Sequence, residues 1–226
     1  MPVKDLLLDV RVTVYHGTKK LNIVPIYGKG KSGNDYGVGF YTTPILNLAR
    51  EWSCSSYSRG GACYVYEYSL DISELSILDL TRVDPLHWVA EVLSNRGVDI
   101  SDGEYREDID LFLKNYKINT DCFDVIVGYR ADDKYFSYIE NFVSNSISIE
   151  LLERAMRMGN LGLQVFIKSK KAFSKLELIS CEEVDKKYES LYTKRDKKAR
   201  SDFDLLRRES RSSRFGTYFV DVLRRL

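Results

Sequence analysis

The sequence predicts an α+β fold, because strand-type alternation and helical periodicity are interspersed along it without a regular β-α-β rhythm. No Gly-x-Gly-x-x-Gly opens a helix after the first strand, which excludes a doubly wound dinucleotide fold. A third observation bounds the size. With 226 residues and 44% hydrophobic content, the chain makes one substantial core, alone or with an extension.

The elements follow in order. Arg11-Val12-Thr13-Val14-Tyr15 alternates and is β-branched, so it reads as a strand delivering His16 to its end. Residues 19–37 carry Gly28, Gly30, Gly33 and Gly37 with Asn34-Asp35, a turn-forming composition that predicts a loop leading into a strand with Tyr41. Pro44 to Tyr57 reads as a helix with Pro44 in its first turn and Leu48, Ala49 and Trp52 on one face. Ala62 to Tyr68 is a strand whose Tyr64, Tyr66 and Tyr68 are packing residues, and Pro85 to Asn95 is a helix closed by Arg96-Gly97. His87 in that helix reads as a hydrogen-bonded structural residue.

The polar stretch 101–121 reads as helical. Asp124 to Tyr129 is a buried strand by its continuous apolar run, and 134–143 and 148–158 are amphipathic helices. Leu163 to Ile167 and Leu176 to Ile179 complete the strands.

Charge is segregated. Lys186 to Leu226 carries 13 Lys and Arg against 6 Asp and Glu, a net +7, which leaves −6 on residues 1–185 out of the chain's +1. Two units follow: a domain over 1–181 and a basic helical extension over 182–226. The extension is either a polyanion-steering surface for RNA, DNA or an acidic partner, or the solvated face of a helix. Leu205, Leu206, Phe215, Tyr218, Phe219, Val222 and Leu223 form apolar stripes on it that need a partner. That partner is the domain, a second copy or a neutralising antitoxin.

Cys54, Cys63, Cys122 and Cys181 lack metal-ligand spacing, so no metal is expected and reduced, mostly buried thiols are. No apolar run reaches the ~20 residues that span a bilayer. The charged N-terminus does not read as a signal peptide, so a cytoplasmic location without a membrane partner is expected.

Three stretches carry chemistry: Tyr15-His16-Gly17-Thr18, then Tyr36-Gly37-Val38-Gly39-Phe40-Tyr41-Thr42-Thr43, then Trp52. Their order resembles the nicotinamide half-site of diphtheria-toxin-like ADP-ribosyltransferases and poly(ADP-ribose) polymerases. Together with Asp124-Val125-Ile126-Val127-Gly128-Tyr129-Arg130-Ala131-Asp132-Asp133 and the Gln164 segment, they resemble a bacterial family, domain of unknown function 3990, grouped with those transferases. The resemblance covers about residues 12–180. It implies a split antiparallel β-sheet core with surrounding helices, NAD as co-substrate, and a toxin or effector role.

Residue by residue, the resemblance implies that His16 holds a ribose hydroxyl and that Gly17 offers its backbone to the nicotinamide carboxamide. Tyr41 and Trp52 sandwich the ring, while Tyr15, Thr18, Tyr36 and Gly39 complete the NAD-binding set. In the polymerases the second aromatic is a tyrosine, and a glutamate stands where this chain has Gln164. An amide still holds the ribose 2′-hydroxyl, but it lacks the charge that stabilises a sugar cation, worth ~4 kcal/mol at 4 Å and an effective dielectric near 20. Asp132 and Asp133, beyond a buried strand, either supply that charge and acid–base capacity or simply favour a helix N-terminus.

The expected activity is mono-ADP-ribosyl transfer to a protein or nucleic-acid acceptor. Two rivals stand beside it. One is a catalytically silent NAD- or ADP-ribose-binding module; the other is a nucleic-acid-binding protein acting through its tail.

Overall fold

Two β-sheets pack together and, among the described residues, are joined by one isolated backbone bridge, Tyr15 to Thr43. The computed structural model describes residues 9–54, 61–97, 103–131, 133–158, 162–213 and 216–226. One sheet has the order β1 (Arg11–Thr18), β3 (Cys63–Asp71), β7 (Leu176–Val184), all antiparallel. The other has the order β2 (Phe40–Thr42), β6 (Leu163–Ile167), β5 (Val125–Tyr129), β4 (Ile77–Asp79). Its first two pairings are antiparallel, but β4 and β5 run parallel. That departs from an all-antiparallel expectation, and the reason is the connection: α2 (Pro85–Arg96) and α3 (Gly103–Tyr116) lie between β4 and β5, the kind of crossover a parallel pair requires.

Alternation explains how the sheets stack. Val12, Val14, Tyr66, Tyr68 and Leu70 of the first sheet share one apolar cluster with Val125, Val127, Val165 and Ile167 of the second. Ile126 and Phe166, at the intervening positions, point the other way into a larger cluster. That cluster takes in α2, α3, α4 (Asp133–Val143) and α5 (Ile149–Met158). Strands β5 and β6 are therefore buried on both faces, which is why β5 is a continuous apolar run and β6 is apolar except at Gln164.

Helix α1 (Leu46–Ser53) lies against β1 and β3, with Ala49 beside Val65 in a third cluster. It is shorter than expected. Pro44 precedes it, and residues 55–57 of the anticipated span lie outside the described residues. Strand β1 runs on through Thr18, paired with Tyr64, so His16 sits within the strand. Helix α2 begins where predicted: Asp84 Oδ1 accepts from the Leu86 amide at 2.9 Å, with Pro85 in the first turn. His87 has the structural role expected of it, its Nδ1 donating to the Tyr116 carbonyl at 2.6 Å.

A short helix, α6 (Lys170–Ser174), links β6 to β7, and the chain closes with α7 (Lys187–Ser213) and α8 (Phe219–Leu223). The domain itself covers much of the basic segment's apolar stripe. Ala199, Phe203, Leu206, Phe219 and Val222 are buried in the large cluster, and the Phe203 ring stacks on Tyr138 at 3.6 Å. Arg195 also pairs with Glu51 of α1 at 2.8 Å. Leu205 stays exposed, and Phe215 lies outside the described residues. Some of its basic side chains pair along the helix, Lys198 with Asp202 at 2.8 Å and Arg200 with Asp196 at 3.4 Å.

All four cysteines are free. Cys54 and Cys63 are buried as expected, whereas Cys122 and Cys181 are exposed, because one lies on a turn before β5 and the other on the edge strand β7. Burial, with Cys63 beside it, pushes the Cys54 thiol up to about 11, which keeps it protonated at neutral pH. Among the described residues no helix is long and apolar enough to cross a membrane.

Candidate functional site

The bridge between the sheets is the origin of the site. Tyr15 and Thr43 exchange two backbone hydrogen bonds of 2.8 and 2.9 Å, and beyond that pair β1 and β2 separate. One residue further along β1, His16 spans the gap by donating from Nδ1 to the Tyr41 carbonyl at 2.7 Å. A carbonyl only accepts, so the proton sits on Nδ1 and the neutral ring keeps Nε2 as an acceptor. Burial lowers the His16 pKa more than that hydrogen bond raises it, which favours this neutral form.

A cleft of about 390 Å³ opens at this split. It is lined by His16 and Gly17 from β1, Tyr41 from β2, Trp52 from α1 and Gln164 from β6, together with Asn34, Asp35, Arg96, Arg130 and Ala131. Helix and strand approach closely at Gly17: a Cβ there would meet the Ala49 carbonyl oxygen at 2.0 Å. The close approach brings α1, and with it Trp52, against β1.

The wall behind Tyr41 is built from aromatic rings and their hydrogen bonds. The Tyr41 hydroxyl accepts from the Tyr36 amide at 3.0 Å and donates to the Gly37 carbonyl at 2.8 Å, while its ring lies against Phe166 at 4.7 Å. Tyr36 stacks behind it at 6.4 Å. Its hydroxyl donates to the Tyr129 carbonyl at 2.6 Å and accepts from Trp88 Nε1 at 3.0 Å. Burial raises the pKa of both tyrosines, so both remain neutral phenols.

Two charged features were hidden from the sequence. Asp35, buried, faces Arg96 at 3.1 Å and accepts the Ala131 amide at 2.8 Å. Arg130 lies over the Trp52 ring at 4.5 Å, so one face of that indole carries a guanidinium. Gln164 is 6% exposed, and among the described residues its Oε1 has no hydrogen-bond partner. The Trp52 Nε1 is likewise buried and unpartnered among them.

His16, Gly17, Tyr41, Trp52 and Gln164 thus come together from four separate elements. Four of the anticipated NAD-contacting residues do not line the cleft. Tyr36 supports Tyr41 from behind, and Tyr15 packs with Leu46 and Ala49 under α1. The Thr18 hydroxyl accepts from the Lys20 amide. Gly39 has a packing role, since a Cβ there would meet the Phe166 ring at 2.4 Å. Asp132 lies outside the described residues, and Asp133 opens α4.

Asp35, Arg96 and Arg130 were missed for a physical reason. Asn34-Asp35 carries a turn signal, Arg96-Gly97 a helix-end signal, and Arg130 follows a buried strand; none of these local roles announces a charge brought to a common cleft.

A family model described as a protein of unknown function, DUF3990, matches residues 12–178. No curated protein and no solved structure matches the chain.

Proposed function

We propose that this chain, which belongs to the DUF3990 family of proteins of unknown function, is an NAD-dependent mono-ADP-ribosyltransferase. The observation that carries the reading is convergence: His16, Tyr41, Trp52 and Gln164 line one cleft of about 390 Å³, within the range of small-ligand sites. The donor set suits a nicotinamide riboside. Tyr41 offers an aromatic wall, His16 Nε2 an acceptor for a ribose hydroxyl, and the unpartnered Gln164 Oε1 a second acceptor that gains a donor when a sugar binds.

The reaction breaks the bond between the ribose carbon and the nicotinamide nitrogen. The bonding pair leaves with the ring as neutral nicotinamide, the sugar carbon becomes cationic, and the acceptor's nucleophile bonds to it while losing a proton to water or a base. In this cleft the residues contribute mainly by holding the ribose and the leaving ring in register. A single transfer to a protein or nucleic-acid side group, of the kind a toxin or effector performs, fits a site with an amide in place of glutamate better than chain elongation does.

One observation favours a second reading, a silent NAD- or ADP-ribose-binding module. The carboxylate among the described lining residues, Asp35, is engaged by Arg96 at 3.1 Å, and Gln164 is uncharged. Incubation with NAD separates the two. Release of nicotinamide by the wild-type chain, abolished in His16→Ala and Tyr41→Ala, supports the transferase. NAD binding without release supports the module, and neither binding nor release sinks both.

A further inference from the structure

We propose that the loop joining β1 to β2 rests on an anionic membrane surface, with Leu21, Val24, Ile26 and Tyr27 entering the headgroup layer and lysines beside them meeting acidic lipid. These four side chains are between 55% and 75% exposed, within residues 21–27. One exposed apolar residue is ordinary, but four together on one loop mark a contact surface. The loop is held in place while it presents them. Asn22 takes a left-handed turn at φ 58°, Ile23 packs into the cluster between the sheets, and the Ile23 amide donates to the Tyr66 hydroxyl at 3.4 Å. That hydroxyl in turn donates to the Lys20 carbonyl at 3.2 Å. With Ile23 turned inward, its neighbours Leu21 and Val24 are left facing solvent.

Charge identifies the partner. Residues 19–34 hold four lysines, Lys19, Lys20, Lys29 and Lys31, and no Asp or Glu, although residues 1–185 as a whole carry −6. Lys20, Lys29 and Lys31 are exposed and, among the described residues, pair with no carboxylate. The Tyr27 ring meets Phe173 of α6 edge-on at 5.9 Å, and that helix opens with the exposed Lys170. An apolar tip flanked by lysines complements a layer with acidic headgroups outside and hydrocarbon beneath.

The residue types favour lipid over other anionic partners. Residues 19–39 contain no arginine to fork onto a phosphodiester, and three of the four protruding side chains are aliphatic, so they offer no platform for stacked bases. Lysine is a compact charge on a flexible stem, suited to mobile headgroups, and a tyrosine ring sits well at headgroup depth. The absence of a spanning run, from which no membrane partner was expected, does not bear on such a contact, since a peripheral surface needs no spanning segment. The same loop continues into Asn34 and Asp35 of the cleft lining, so docking orients the cleft at the lipid surface whatever the cleft binds.

Vesicle sedimentation tests this. Sucrose-loaded vesicles of phosphatidylcholine and phosphatidylserine in equal parts, or of phosphatidylcholine alone, are spun down with the wild-type chain and three variants. Val24→Ser with Ile26→Ser removes the apolar tip at constant charge; Lys20→Gln, Lys29→Gln and Lys31→Gln together remove charge; Lys194→Gln with Lys197→Gln controls for the basic helix α7. All the replaced side chains are exposed, and thermal unfolding confirms the fold of each protein. The wild-type chain should sediment with the acidic vesicles and not with the neutral ones. The serine variant should lower the partition coefficient by at least about 10-fold, and the glutamine variant by roughly 100-fold at about fivefold per lysine, while the α7 variant stays close to wild type. No sedimentation with acidic vesicles overturns the proposal. So does a loss confined to the lysine variant, which means attraction without insertion, or a loss confined to the α7 variant. Sedimentation equilibrium covers the remaining occupant: a wild-type dimer that the serine variant disperses, with no vesicle binding, assigns the patch to a second copy and ends the lipid assignment.

Discussion

Replacing Gln164 by glutamate asks whether the cleft acts on a sugar cation. The amide is 6% exposed on β6, and its Oε1 has no hydrogen-bond partner among the described residues. A carboxylate at the same place, about 4 Å from a developing positive charge, contributes ~4 kcal/mol at an effective dielectric near 20. Two effects reduce this. Burial disfavours the ionised form, and the stabilisation already given by the amide dipole is lost. Arg130 and Arg96 in the same lining favour ionisation. With roughly a third to two-thirds of the Coulomb term surviving, ~1.3–2.7 kcal/mol remains, which is about a 10- to 100-fold gain in kcat for nicotinamide release. Chromatographic quantification of nicotinamide at saturating NAD measures it. The reasoning fails if Gln164→Glu keeps its unfolding temperature and its affinity for NAD while kcat stays the same or falls.

Three further outcomes follow from the geometry. Gly17→Ala sets a methyl group 2.0 Å from the Ala49 carbonyl, so α1 must shift, and urea unfolding should show a loss of about 1–3 kcal/mol; an unchanged midpoint would contradict the contact. Phe203→Ala removes a buried ring stacked on Tyr138 at 3.6 Å and should cost about 3–5 kcal/mol, whereas a loss under ~1 kcal/mol would mean that α7 does not dock on the domain. The third concerns pH. Burial lowers the folded-state pKa of His16, so below about 6.5 the unfolded chain takes up a proton that the folded chain refuses. The stability from neutral His16 is complete above that pH and is lost as pH falls through it toward the folded value. Urea midpoints at pH 7.5 and 5.5 should therefore differ more for the wild-type chain than for His16→Asn; equal differences would count against the buried neutral imidazole.

What was legible in the sequence is what local pattern encodes. Alternation located β1 and β3, the continuous apolar run of β5 announced a buried strand, and Pro85 with Arg96-Gly97 marked the two ends of α2. The three-residue strand β4 is too short for periodicity to register and exists through its pairing with β5. At the site, the family resemblance carried by the glycine and aromatic motifs singled out His16, Gly17, Tyr41 and Trp52, and the resemblance alone singled out Gln164; all five line the cleft.

Long-range charge contacts were illegible. Nothing local ties Asp35 to Arg96, or Arg130 to Trp52, since those pairs depend on how the end of α2 and the end of β5 are carried to the split between the sheets. Gly17 and Gly39 illustrate a subtler limit. Their lack of a side chain is fully used by packing against Ala49 and Phe166, so a glycine in a site-like motif does not by itself indicate a ligand.

The central claim is that the cleft between β1 and β2 holds NAD. Titration of NAD into the wild-type chain and into Tyr41→Ala, followed calorimetrically, tests it most directly: the account predicts one site per chain in the wild type and its loss in the variant. Undetectable binding at millimolar NAD, or equal affinity in the two proteins with their folds intact, would contradict it.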